Sequence, residues 1–128
     1  MKYLAILTIL ILLSPMRLVN DFYPVTLEVT AYTDACGIPP RGITASGAET
    51  RWGIAAAPSE VPFGVEIYVP GYGWAEVQDR GGSIRGRGGD GFAGLDLWYG
   101  DRQSALQWGR RDVTVWIPLD MGWPENTD

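Results

Sequence analysis

The stretch GIAAAPSEVPFGVEIYVPGYGWAEVQD, residues 53–79, sets short apolar runs between glycine and proline punctuation. GIAAAP and VEIYVPG are each too short for a helix, VPFG separates them as a turn, and GWAEVQD alternates like a half-buried strand. Upstream, VTLEVTAY (25–32) sets Val25, Leu27, Val29 and Ala31 against Thr26, Glu28, Thr30 and Tyr32, the period of two expected of a strand with one buried face. A short Ile43-Thr44-Ala45 piece lies in the turn-rich segment between them. Downstream, LDLWYG and DVTVWIPL read as strands, and DRQSALQWG as a single short helix with Asp101 as N-cap and Gly109 just past its end. About six strands and one small helix predict a mainly all-β chain, closed into a barrel that leaves no strand edge open. Trp116, in the last strand, is expected in the core.

Composition narrows the function. The 128 residues suit one domain, and 17 glycines with nine prolines favour turns over long helices. A net charge of −5 without a basic cluster speaks against nucleic acid as a partner. The chain has no histidine, so a serine or cysteine nucleophile would lack its usual base and zinc its commonest ligand. Acid–base work falls to carboxylates. Asp79, Asp90, Asp96 and Asp101 lack the regular spacing of a calcium loop, so neither a metal nor another cofactor is expected. Asp90 reads as a solvated turn residue. The lone Cys36 makes no internal disulfide.

The first 20 residues begin with Lys2 and run apolar from Tyr3 to Leu13, the pattern of a signal peptide or an N-terminal anchor. They predict export to the cell envelope, periplasmic or extracellular; if uncleaved, the segment would tether the protein to a membrane. A domain over 24–119 and a tail over 120–128 complete the expected organisation, with a monomer as the expected state.

In chain order, VTAYTDACG, TASG, GIAAAPSEVPFGVEIYVPGYG, QDRGGSIRG, LDLWYG and SALQWGRRDVTVWI resemble the three-aspartate (3D) domain of bacterial cell-wall proteins, which is similar to the catalytic barrel of membrane-bound lytic transglycosylase A. The resemblance implies a six-stranded double-psi β-barrel with one short helix. It also implies a peptidoglycan lytic transglycosylase that needs no cofactor and acts on glycan strands. The second family aspartate falls on Asp79 and the third on Asp96. The first falls on Ala57, the family threonine after the second aspartate is Arg80, and the family lysine is Arg85. Tyr32, Thr44 and Gly47 match positions near the family groove, and Gly81, Gly82, Arg85 and Trp98 complete the expected substrate contacts.

The chemistry of Asp96 can also be read directly. In LDLW it shares a strand face with Trp98, opposite Leu95 and Leu97, so partial desolvation and a nearby Asp79 would raise its pKa toward that of a general acid. Asp79 followed by Arg80-Gly81-Gly82 can equally accept backbone N–H bonds in a tight turn. The alternative from another class is a non-catalytic, expansin-like barrel that only grips polysaccharide, to which the loss of an aspartate at Ala57 points.

Overall fold

The computed structural model describes residues 21–36, 41–81 and 94–121. They form strands β1 (Phe22–Tyr32), β2 (Ile54–Ala56), β3 (Glu66–Val69), β4 (Gly73–Asp79), β5 (Leu95–Trp98) and β6 (Arg111–Pro118), with one helix, α1 (Arg102–Trp108). A single 3-10 turn, Asp34–Cys36, follows β1. The strands close into a barrel in the order β1-β5-β2-β4-β3-β6. Two of the pairings, β1 with β5 and β2 with β4, are parallel, and the others are antiparallel. Parallel neighbours cannot be joined by a tight hairpin. This non-sequential order is what the expected double-psi barrel requires.

Strand β1 begins three residues before the alternating run that predicts it, because it pairs with β6 from Phe22↔Pro118 to Val29↔Arg111. Among the described residues, pairing with β5 starts at Val29↔Leu95, so Pro24 has a described partner on one side alone, the place a sheet tolerates proline. The Ile43 segment does not become a barrel strand. It makes one isolated bridge, Ile43↔Glu49.

The interior is filled by the inward residues that the alternation marks, with Ile67, Leu95, Leu97, Ile117 and Val77 fully buried. Each contributes roughly 1.5–3 kcal/mol by leaving water. Trp116 is a correction to the expected core: Val115 and Ile117 take the inward positions of β6, and Trp116 lies half-buried on the other face, paired with Tyr68. The core tryptophan is Trp108, whose indole N–H donates to the Val29 carbonyl at 3.1 Å. Helix α1 is capped as its sequence predicts. The Asp101 carboxylate accepts from the Ser104 N–H at 2.9 Å, and Gly109 closes the helix at φ 68° with its N–H on the Ala105 carbonyl. Among the described residues no helix is long and apolar enough to cross a membrane.

Leu97→Ala should cost about 2–5 kcal/mol in urea unfolding, the range for opening a cavity in a closed core. Leu106→Ala, at a helix residue that is 67% exposed, should change stability by no more than about 0.5 kcal/mol.

Candidate functional site

Three pairings bring the site together. Thr30 on β1 is opposite Asp96 on β5, Asp96 is opposite Ala56 on β2, and Ala56 is opposite Asp79 on β4. Residues remote in sequence thereby share one row across four strands. A register shift between Ala55 and Ala56 moves the partner from Val77 to Asp79, so the bulge is what brings Asp79 into the row.

Asp96 is partly buried at the centre of the row, between Leu95 and Leu97, which point into the core. The Thr30 hydroxyl donates to its Oδ1 at 3.0 Å. Burial raises its pKa to about 6; the Thr30 bond opposes the rise and the Asp79 charge adds to it. The carboxyl is therefore held in the range where a single group can give and take back a proton near neutral pH.

Asp79 is surrounded by donors. Its Oδ2 accepts from the Tyr32 hydroxyl at 2.8 Å, and its Oδ1 from the backbone N–H of Ala45 and of Arg80, both at 2.9 Å. Burial first, then the bond to Asp79, pushes the Tyr32 hydroxyl well above the ordinary phenol range, so it remains a donor. The Ala45 bond belongs to a docked turn. Within it the Gly47 N–H bonds the Thr44 carbonyl at 2.9 Å, Ser46 N–H bonds the Gln78 carbonyl, and Thr44 is buried. Gly47 has φ 92° and open space where a side chain would stand, so it serves the turn by conformation.

Ala57 and Arg80, where the resemblance implies departures from the family pattern, come into contact. Ala57 packs in the core; its N–H donates to the Asp79 carbonyl at 3.1 Å and its carbonyl accepts from Arg80 Nη1 at 3.5 Å. Arg80 Nη2 also donates to the Val61 carbonyl at 2.6 Å, and the guanidinium lies 4.0 Å from the Phe63 ring centroid. The arginine thus fastens segment 57–63 beside the Asp79 end of the row.

Trp98 pairs with Tyr32 across β5 and β1, and its indole N–H donates to Asp34 Oδ1 at 2.8 Å. Gly81 lies two residues past Asp79 and is partly buried. Gly82, Arg85 and Asp90 lie outside the described residues. Sequence reasoning missed Thr30, Asp34 and the Ala45 N–H. Thr30 had a signal, since it shares the outward face of β1 with Tyr32, whereas the other two depend on how the 33–50 segment folds back. A cavity of about 920 Å³, with Glu60, Phe63, Glu66 and Met121 in its wall, touches neither Asp79 nor Asp96. Among the described residues no three acidic or cysteine side chains gather as a metal cage.

The raised pKa of Asp96 carries a stability cost with a definite sign. Between about pH 4 and pH 6 the folded carboxyl holds a proton that the unfolded chain has released, so its contribution to stability falls as pH rises through that window. Asp96→Asn should therefore raise thermal stability above pH 6, by up to roughly 3 kcal/mol, the free energy of the pKa displacement, and leave it nearly unchanged below pH 4. Calorimetric melts of parent and variant at both pH values check this.

Known proteins place this geometry. A family model described as 3D domain matches residues 52–119. The chain is 30% identical over 96 residues to the putative cell wall shaping protein YabE of Bacillus subtilis (strain 168), covering 72% of this chain and 22% of that protein. It is 34% identical over 95 residues to the cell wall-binding protein YocH of the same organism, covering 70% of this chain and 31% of that protein. The chain thus spans less than a third of the length of either relative. The family match takes in β2 to β6, and with them Asp79, Ala56 and Asp96 of the row: the chain belongs to the 3D domain family.

Proposed function

We propose that the barrel acts in the bacterial cell envelope as a peptidoglycan lytic transglycosylase. The observation that carries the reading is Asp96, a carboxyl raised to about 6 by burial and oriented by Thr30, on a barrel of a family with cell-wall relatives. Protonated Asp96 gives its proton to the glycosidic oxygen between N-acetylmuramic acid and N-acetylglucosamine. The C1–O bond breaks, and positive charge spreads over C1 and the ring oxygen. The C6 hydroxyl of the same muramic ring attacks C1 and its proton passes to the Asp96 carboxylate, which regenerates the acid. Water is not consumed, and the product carries a 1,6-anhydro end. The internal hydroxyl competes through proximity, where effective molarities reach about 10⁵ M or more.

In this scheme Asp79 positions rather than reacts. It accepts bonds from Tyr32, Ala45 and Arg80, and its charge helps keep Asp96 protonated. Ala57 then leaves the mechanism one carboxylate short of the family pattern without removing the proton carrier. Tyr32, Thr44, Gly47, Gly81 and Trp98 would hold the glycan around the row, and Gly82 and Arg85, outside the described residues, complete the expected substrate contacts. The apolar N-terminal segment would direct export or tether the barrel to a membrane.

A second reading has its own observation. With Ala57 in the core and Asp79 held by three donors, the barrel could grip glycan without cutting it, and one relative is named a cell wall-binding protein.

Mass spectrometry of digested peptidoglycan separates the two. Products lighter by one water than reducing ends support the transglycosylase, and intact glycan with measurable binding supports the gripping module. Asp96→Asn should lower cleavage by about 10²-fold or more, the scale of general acid catalysis, and keep binding. Cleavage should fall as pH rises through about 6, where Asp96 loses its proton. Thr30→Val removes a bond that favours the charged form, so it should move that limb to higher pH.

A further inference from the structure

Trp52 is 53% exposed, although it lies against two other aromatic side chains, Tyr72 and Tyr99. One face of its indole stacks on Tyr72, with centroids 4.1 Å apart and planes 27° from parallel, and Tyr99 meets it edge-on at 5.1 Å. The opposite face therefore looks into solvent. A large ring left half in water forfeits transfer free energy that a smaller apolar residue would not lose, so covering Tyr72 does not by itself call for tryptophan.

The ring is also fixed in place. The Tyr72 hydroxyl accepts from the Gly53 N–H at 3.0 Å and donates to the Trp98 carbonyl at 2.8 Å, so the surface on which Trp52 stacks is locked at its far end. The same hydroxyl joins the Trp52 segment to β5 at Trp98. Trp98 is two residues along β5 from Asp96, so the Trp52 turn is fastened beside the strand that carries the row. The surface beside the ring is balanced in charge, since Arg51 pairs with Glu76 at 3.0 Å. A pre-set aromatic face in neutral surroundings suits the apolar C–H face of an uncharged sugar ring, which loses little entropy in docking there. The exposed Trp74 offers less, because Phe22 and Tyr68 meet it at tilts of 58° and 62°.

We propose that Trp52 is a stacking subsite for a neutral N-acetylhexosamine ring, lying beyond the carboxylate row on the Trp98 side, so that one glycan strand reaches both. The proposal rests on the glycan-acting reading of the barrel. It adds a residue outside the proposed reaction.

The test uses N-acetylglucosamine dimers and hexamers in calorimetric titration. Trp52→Leu keeps an apolar cover on Tyr72 but removes the aromatic face; it should weaken hexamer binding by roughly tenfold, the scale of one aromatic contact, while Trp52→Phe recovers part of the loss. The dimer, too short to gain from both regions, should show a smaller difference. Equal hexamer affinity in parent and Trp52→Leu, a Phe variant no better than the Leu variant, or a parent that binds no oligomer would each overturn the subsite. A second readout needs no variant: the indole N–H signal of isotope-labelled Trp52 should move as hexamer is added, and a silent signal also overturns it. Anhydro ends with affinity unchanged in Trp52→Leu would remove the subsite and leave the reaction. Trp52-dependent binding with intact peptidoglycan would remove the reaction and leave the subsite.

Discussion

The Asp79 carboxylate ties together three parts of the chain that share no neighbouring sequence. Tyr32 comes from the end of β1, Ala45 from the docked turn, and Arg80 from the exit of β4, and each gives it a hydrogen bond of 2.8–2.9 Å. Bonds to a charged acceptor are worth about 1.5–3 kcal/mol each, and a carboxylate taken partly out of water is costly unless it collects them. The placement of Tyr32 and of the 41–50 turn follows from meeting that demand. So does the charge that helps hold Asp96 protonated.

Two aspartates in one row therefore have opposite environments. Asp79 is surrounded by donors, whereas Asp96 has one hydroxyl and a desolvating wall. Environments that push paired carboxylates apart are how one site obtains distinct roles from the same residue type. The barrel produces this difference through its topology: β1 and β5 supply the Thr30–Asp96 pair, and the bulged β2–β4 pairing supplies Asp79. Arg80 extends the arrangement outward by holding Ala57 and Val61 through their carbonyls. Ala57 is a small core residue and Arg80 a long cation that binds its backbone.

Much of the fold was legible because its signals are local. Alternation in β1 and β6, glycine and proline between the short runs, and the Asp101 and Gly109 helix ends each concern residues a few positions apart. Asp96 was legible for the same reason, since its side chain must leave the strand opposite Leu95 and Leu97. Trp116 sits outside the core because hydrophobicity alone does not set burial: parity assigns the inward positions to Val115 and Ile117. Thr30 was overlooked although the same parity places it beside Tyr32 on the outward face.

By itself the sequence determined which residues form strands, which faces they bury and which carboxyl would be desolvated, because these follow from spacing along one chain. Tertiary structure alone decided that Asp79 would accept from Tyr32 and Ala45, that Asp34 would hold the Trp98 indole, and that Ala57 and Arg80 would meet. Those contacts join positions up to 64 residues apart. They depend on parallel pairing and a one-residue bulge, and a single shift of register would turn every side chain of the strand to its other face.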